Sequence, residues 1–240
     1  MSVATTVENA AAAEVVQANP PASAITLSAV GGCVDGLGYV LLGLFTAHIT
    51  GNTVKTGADI AHLHLSQAAV DFFPIAVFVA GGFGGALLRQ SLVRRMPQPR
   101  IAVLCLSAAL LVAFVGAGEL LTGGRAPSPG GAPFYVLAAL ATLSMGVQNA
   151  AKPIFAGRPV RTFMTGTMTD FAETMAASAT SAAGGRRARL RHAGLLLLVW
   201  LAYLLGGTVA GATALRYGTV AAAIPAGGVL TALALELRAR

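Results

Sequence analysis

The sequence predicts an all-α polytopic membrane protein with six transmembrane helices, built as an inverted 3+3 repeat. Three observations carry that expectation: an apolar composition with few charges, six apolar runs of spanning length, and a polar motif that recurs once in each half. The chain of 240 residues is 55% hydrophobic and only 10% charged, with a mean hydropathy of +0.73. A soluble domain of this size needs about 25–35% charged residues on its surface. The formal charge of +7 would suggest nucleic acid in a soluble protein. Here the basic residues gather between apolar runs, so membrane topology accounts for them and no nucleic-acid partner is expected.

Residues 1–23 hold Glu8 and Glu14, no Lys or Arg, and Pro20-Pro21 near their end. They lack the basic start of a signal peptide and the hydrophobicity of a span, and read as a disordered cytoplasmic tail. A bilayer core of about 30 Å takes roughly 20 apolar residues per helix. Six runs qualify: residues 25–47, 70–88, 101–121, 134–155, 193–215 and 220–237. The sixth contains Pro225, which predicts a kink. Cys33 and Cys105 fall inside apolar runs and read as small buried residues, not as a disulfide or a metal pair.

Orientation follows the basic residues. Arg89, Arg94, Arg95, Arg100, Lys152, Arg158, Arg161, Arg186, Arg187, Arg189, Arg191, Arg238 and Arg240 fall on one side, and only Lys55, Arg125 and Arg216 on the other. The positive-inside rule then puts both termini in the cytoplasm. The run at residues 186–191 reads as a polybasic patch facing anionic lipid, and Lys152 as a side chain that snorkels to headgroups.

The stretch FTAHITGNTVKTGA at residues 45–58 has a relative, TFMTGTMTDFAETMA, at residues 162–176, with Thr50-Gly51 aligned on Thr165-Gly166. Three spans separate the two, so the halves, residues 24–122 and 123–240, insert in opposite orientations. The second helix of each half carries Gly-x-x-x-Gly, as Gly81/Gly85 and Gly207/Gly211, a spacing that lets helices approach closely.

These features resemble the bacterial YoaK family, six-helix inner-membrane proteins catalogued as a domain of unknown function. The residues that carry the resemblance are Gly32-x-x-Asp35, the phrase Phe45 through Thr53, Gly146-Val147-Gln148-Asn149-Ala150 and Thr165-Gly166-Thr167-Met168-Thr169-Asp170. The resemblance runs from about Ile25 to the C-terminus. It implies an inner-membrane location and this topology, and brings no substrate or reaction.

Polar residues inside spans are the functional candidates. Asp35 lies roughly 15 Å into the first run, where an ionised carboxylate costs at least ~2.5–3.5 kcal/mol unless it faces the bundle interior or water. It reads either as an ion, proton or substrate contact or as a buried acid bonded between helices. Gln148 and Asn149 occupy the corresponding place in the fourth run. With Asp35 they are expected to converge near the pseudo-twofold axis, where repeat-built transporters bind cargo, or else to be interhelical glue.

Thr50 and Thr165 read as N-caps of short helices whose positive ends would favour an anion. With Gly51, Asn52, Gly166 and Asp170 they complete a predicted substrate or ion pathway. Lys55 and Asp170 align with opposite charge and read as gate residues or as a solvated face. His48, Asp59, His62, His64 and Asp71 cluster on one side, but no three have diagnostic metal spacing, so neither a metal nor a cofactor is expected.

The leading functional expectation is a small secondary transporter or permease, moving a small solute or ion by alternating access between the halves. The alternative is a membrane scaffold or assembly protein that transports nothing. An intramembrane enzyme is disfavoured, because no nucleophile–base pairing, His-Glu-x-x-His or Gly-x-Ser-x-Gly is present. The lipid bilayer is the first partner, and the glycine faces are compatible with a homodimer.

Overall fold

The computed structural model describes residues 21–151, 154–155, 158–159, 164–179 and 183–238. Most of the predicted tail, together with Lys152, Arg161 and Arg240, lies outside the described residues. The described residues are all-α apart from one two-residue pairing. Helix α1 spans Pro21–Leu42, α2 Ile49–Ala61, α3 Leu65–Leu92, α4 Pro99–Thr122 and α5 Ala132–Ala151. Two short strands, Ile154–Phe155 and Arg158–Pro159, pair antiparallel. Helix α6 (Met164–Ala179) and the long α7 (Ala183–Tyr217) follow, then a 3-10 turn at Gly218–Ala222 and α8 (Ala223–Arg238).

Among the described residues, five stretches are long and apolar enough to cross a membrane: Ala22–Leu42, Leu65–Leu92, Pro99–Thr122, Ala132–Ala151 and Arg186–Arg238. The last contains α7, the 3-10 turn and α8. Leu120, Leu215, Phe83, Val79 and Leu205 are all more than 60% exposed. Apolar surface of that extent marks a lipid or partner contact rather than water.

Several boundaries differ from the sequence expectation, each for a local reason. The first helix stops at Leu42 and not at Ala47, because Gly43 adopts a left-handed φ of +66°. The amide of Gly43 then bonds Tyr39 O at 3.0 Å and that of Leu44 bonds Gly38 O at 3.3 Å, which satisfies the last carbonyls of the helix. Thr50 is not an N-cap. Helix α2 begins at Ile49, with His48 in the capping position and no capping bond from its side chain. Thr165 is likewise the second residue of α6. Pro225 is the third residue of α8, in the first turn, where no backbone donor is needed. The chain leaves α7 at Gly218, with φ +58°.

The two central helices are α1 and α5, each with 67% of its spanning residues buried, against 22% for α3. Helix α7 packs on α1 and α3 packs on α5; α2 lies on α3 and α6 on α7; α8 lies on α1 and α4 on α5; α4 and α8 face one another. The core is made by Val30, Val34 and Leu37 of α1, Leu104 and Leu111 of α4, and Leu137 and Met145 of α5.

Close helix crossings depend on glycine. A side chain at Gly32 would overlap the carbonyl of Tyr203, and one at Gly206 that of Ala29, so α1 and α7 meet backbone to backbone. On the other pair, a Cβ at Gly81 would lie 2.8 Å from Leu143 O and one at Gly85 would lie 2.9 Å from Ala150 Cβ. The glycines expected on α7 contribute less directly. Gly207 receives Gly36 of α1, whose Cβ would come 2.5 Å from Gly207 O, while Gly211 has ordinary contact with Val40 at 3.6 Å.

Candidate functional site

The site is built on the backtrack that follows α1. After Gly43 the chain folds back along its own helix until the backbone of residues 46–48 reaches Asp35. That is seven residues, or about 10 Å, inside the end of α1. Asp35 is buried. Its Oδ1 accepts from the amides of Thr46 (2.7 Å), Ala47 (2.6 Å) and His48 (3.3 Å) and from the Thr46 hydroxyl (3.1 Å). Its Oδ2 accepts from the hydroxyl of Tyr203 on α7. Successive amides aimed at one point form an anion cradle, and charge-assisted bonds of this kind are about twice as strong as neutral ones. The carboxylate filling the cradle belongs to the protein itself.

The rest of the motif fixes the same loop. Asn52 is fully buried. Its Oδ1 accepts from Phe45 N at 3.1 Å and its Nδ2 donates to Phe45 O at 2.6 Å, as a neighbouring strand would. Gly51 leaves room for two rings: a Cβ there would lie 2.8 Å from Phe45 Cδ2 and 2.9 Å from His48 Cδ2. Phe45 stacks on Tyr39 with centroids 5.3 Å apart. Thr50 is exposed, its hydroxyl 3.5 Å from His48 Nε2.

Lys55 is not an isolated residue. Its Nζ donates to Gly43 O at 2.7 Å and to Asp71 Oδ1 on α3 at 2.9 Å. The ammonium thus neutralises the negative end of α1 and a carboxylate that is 1% exposed. Because Lys55 itself is 37% exposed, water screens part of the pair. Lys55→Met should still destabilise by about 1–2 kcal/mol through the stranded Asp71. Adding Asp71→Asn should recover much of that loss in a thermal melt in detergent.

The second half places its counterparts differently. Gln148 is buried on α5 and donates through Nε2 to Leu27 O of α1 at 3.1 Å. Its Oε1 has no partner among the described residues. Leu27 lies eight residues along α1 from Asp35, roughly 12 Å, so the expected convergence of Gln148 on Asp35 is not seen. Asn149 donates to Met145 O on its own helix at 3.0 Å. In α6, Thr165 is exposed and Gly166 and Asp170 are half-buried; Thr167, which aligns with Asn52, is buried. Asp170 accepts from Thr174 through its backbone carbonyl at 2.7 Å. Among the described residues no three His, Cys, Asp or Glu side chains are placed to hold a metal. His62 and His64 instead stack on each other, with centroids 5.8 Å apart.

Four of the polar contacts that sequence reasoning missed join different helices. Tyr203, the second anchor of Asp35, is one. Lys55–Asp71 is another. The third is a reciprocal pair between α4 and α5, where Ser107 Oγ and Ser144 Oγ lie 2.9 Å apart and each hydroxyl donates to the other's carbonyl. The fourth joins Arg100 Nη2 to Glu236 Oε1 at 2.8 Å, with Ser23 Oγ donating to the same oxygen at 2.7 Å. Glu236 carried a usable signal, since it is an acid inside a predicted span, as Asp35 is.

The fold and site together define an all-α protein of apolar helices, several long and apolar enough to cross a membrane, with a buried acid that anchors a backtracking loop. A family model described as protein of unknown function (DUF1275) matches residues 23–235, and the chain belongs to that family. No curated protein and no solved structure matches it.

Proposed function

We propose that the protein is a small secondary transporter or permease of the inner membrane, moving a small solute or ion by alternating access between two inverted halves. On this reading α1, α3, α4, α5, α7 and α8 are the six crossing helices, both termini are cytoplasmic, and the motifs that resemble the YoaK family open α2 and α6 on opposite faces. The observation that carries it is the reciprocal packing of the halves. Helix α7 lies on α1 as α3 lies on α5, α6 on α7 as α2 on α3, and α8 on α1 as α4 on α5. Such an exchange is what two repeats related by a twofold axis in the membrane plane produce, and cargo sites form where their first helices meet. Gln148 sits at that meeting of α1 and α5 with a buried, unpartnered acceptor. An acceptor left in that state costs about 1–3 kcal/mol, which a bound cation, solute or water would relieve.

The test is uptake by reconstituted vesicles across a panel of small ions and metabolites, wild type beside Gln148→Leu. At least one solute should enter with the wild type, and its rate should fall at least about ten-fold in the variant. The alternative, a membrane scaffold without transport, is favoured by one observation: Asp35 is engaged on both oxygens by the protein's own donors. If no solute enters and none raises the melting temperature, the scaffold reading replaces the transporter.

A further inference from the structure

We propose that Arg100, Glu236 and Ser23 form a latch between the two halves, and that the other end of the same α4–α8 seam is its pivot. The proposal rests on reading the chain as two halves that move. Arg100 is the second residue of α4 and Glu236 lies in the last turn of α8, so the pair closes one end of the seam between the third helices of the halves. Ser23, at the start of α1, donates to the carboxylate oxygen that Arg100 also holds. Three helices of two halves therefore converge on one oxygen. The side chains of Arg100 and Glu236 are 17% and 6% exposed, and Ser23 is fully buried.

The opposite end of the seam is built from backbone. A side chain at Gly118 of α4 would overlap Thr219, and one at Gly218 would overlap the carbonyl of Gly124. The amide of Thr219 donates to that carbonyl at 2.9 Å. The two ends respond differently to separation. Parted charges regain hydration, which nearly offsets a buried pair's attraction, so opening the charged end is inexpensive. The glycine end would lose its close packing outright, and its Thr219–Gly124 backbone bond would only be exchanged for bonds to water. The seam therefore parts at Arg100–Glu236 and turns about Gly118–Thr219.

Two fully buried alanines report the motion: Ala232, one turn from Glu236 on α8, and Ala210 on α7. In a Cys33→Ala, Cys105→Ala background, Ala232→Cys and Ala210→Cys are made separately. Each is exposed on both faces of the membrane to a maleimide too polar to enter the bilayer. Arg100→Gln should raise labelling at position 232 by about ten-fold or more by favouring the open form, with position 210 remaining unlabelled. Exchanging the charges, Arg100→Glu with Glu236→Arg, should return labelling toward the wild-type rate. Unchanged labelling at 232 in Arg100→Gln overturns the latch. So does labelling of both positions, which would mean that the cluster holds the whole fold, and so does fast labelling in the exchanged pair. The assay needs no cargo, so its failure leaves the transport reading standing, and a protein that labels as expected but moves no solute sinks transport alone.

Discussion

Asp35→Ala should lower stability by about 3–5 kcal/mol, because it strands several buried donors at once and each costs about 1–3 kcal/mol. The amides of Thr46 and Ala47 lie 2.7 and 2.6 Å from Oδ1, and Thr46 is 1% exposed. The Tyr203 hydroxyl loses its acceptor as well. Asp35→Asn keeps one oxygen as acceptor for the loop but puts an NH2 against the Tyr203 hydroxyl and removes the charge, so it should cost about 1–2 kcal/mol, less than the alanine variant. Tyr203→Phe removes one donor and should cost least. Thermal unfolding in detergent gives the ranking, and limited proteolysis at residues 43–48 should be enhanced most in Asp35→Ala. Equal melting of Ala and Asn variants would show that the loop is not held by this carboxylate. Proton coupling through Asp35 is a separate matter: full pH-independent transport by Asp35→Asn would sink it.

The second large effect belongs to the α1–α7 crossing. Gly206→Val should prevent assembly of the fold or cost more than about 3 kcal/mol, since even one methyl there overlaps the carbonyl of Ala29. Overpacking that forces backbone apart exceeds the usual ~1–3 kcal/mol of a core insertion. Gly57, Gly84 and Gly116 make the contrast, because a Cβ at each meets nothing within 4 Å. Alanine at those helical positions should be neutral or stabilise by up to about 1 kcal/mol through helix propensity. Monodispersity on size exclusion and the melting temperature distinguish the two groups. A well-folded Gly206→Val would show that the two helices do not cross at these glycines.

The spanning helices were legible because long apolar runs leave little choice but helix. Residues 70–88 and 101–121 both fall inside α3 and α4. The end of α1 was not legible: residues 43–47 are as apolar as what precedes them, and one glycine's left-handed φ ends the helix. The motif phrase was found, but its meaning was not. Phe45, Gly51 and Asn52 fix a loop locally, and that loop's amides at Thr46, Ala47 and His48 bond Asp35. Tyr203 escaped because a hydroxyl 168 residues away in sequence gives no local pattern. Arg100 escaped because it sits among arginines that topology already explained, although it is one of the most buried charges among the described residues.

The spacing of Asp35's partners also bears on how the chain is made. The loop donors follow Asp35 by 11 to 13 residues, whereas Tyr203 follows by 168 and Glu236 trails Ser23 by 213. An acid entering a bilayer carries a penalty of about 2.5–3.5 kcal/mol, and the local cradle can form as soon as His48 has left the ribosome. The first helix thus brings its own cover for its carboxylate long before α7 exists. Tyr203, on a helix made much later, adds a donor to a carboxylate the loop already holds, and the Ser23–Glu236 contact needs almost the whole chain.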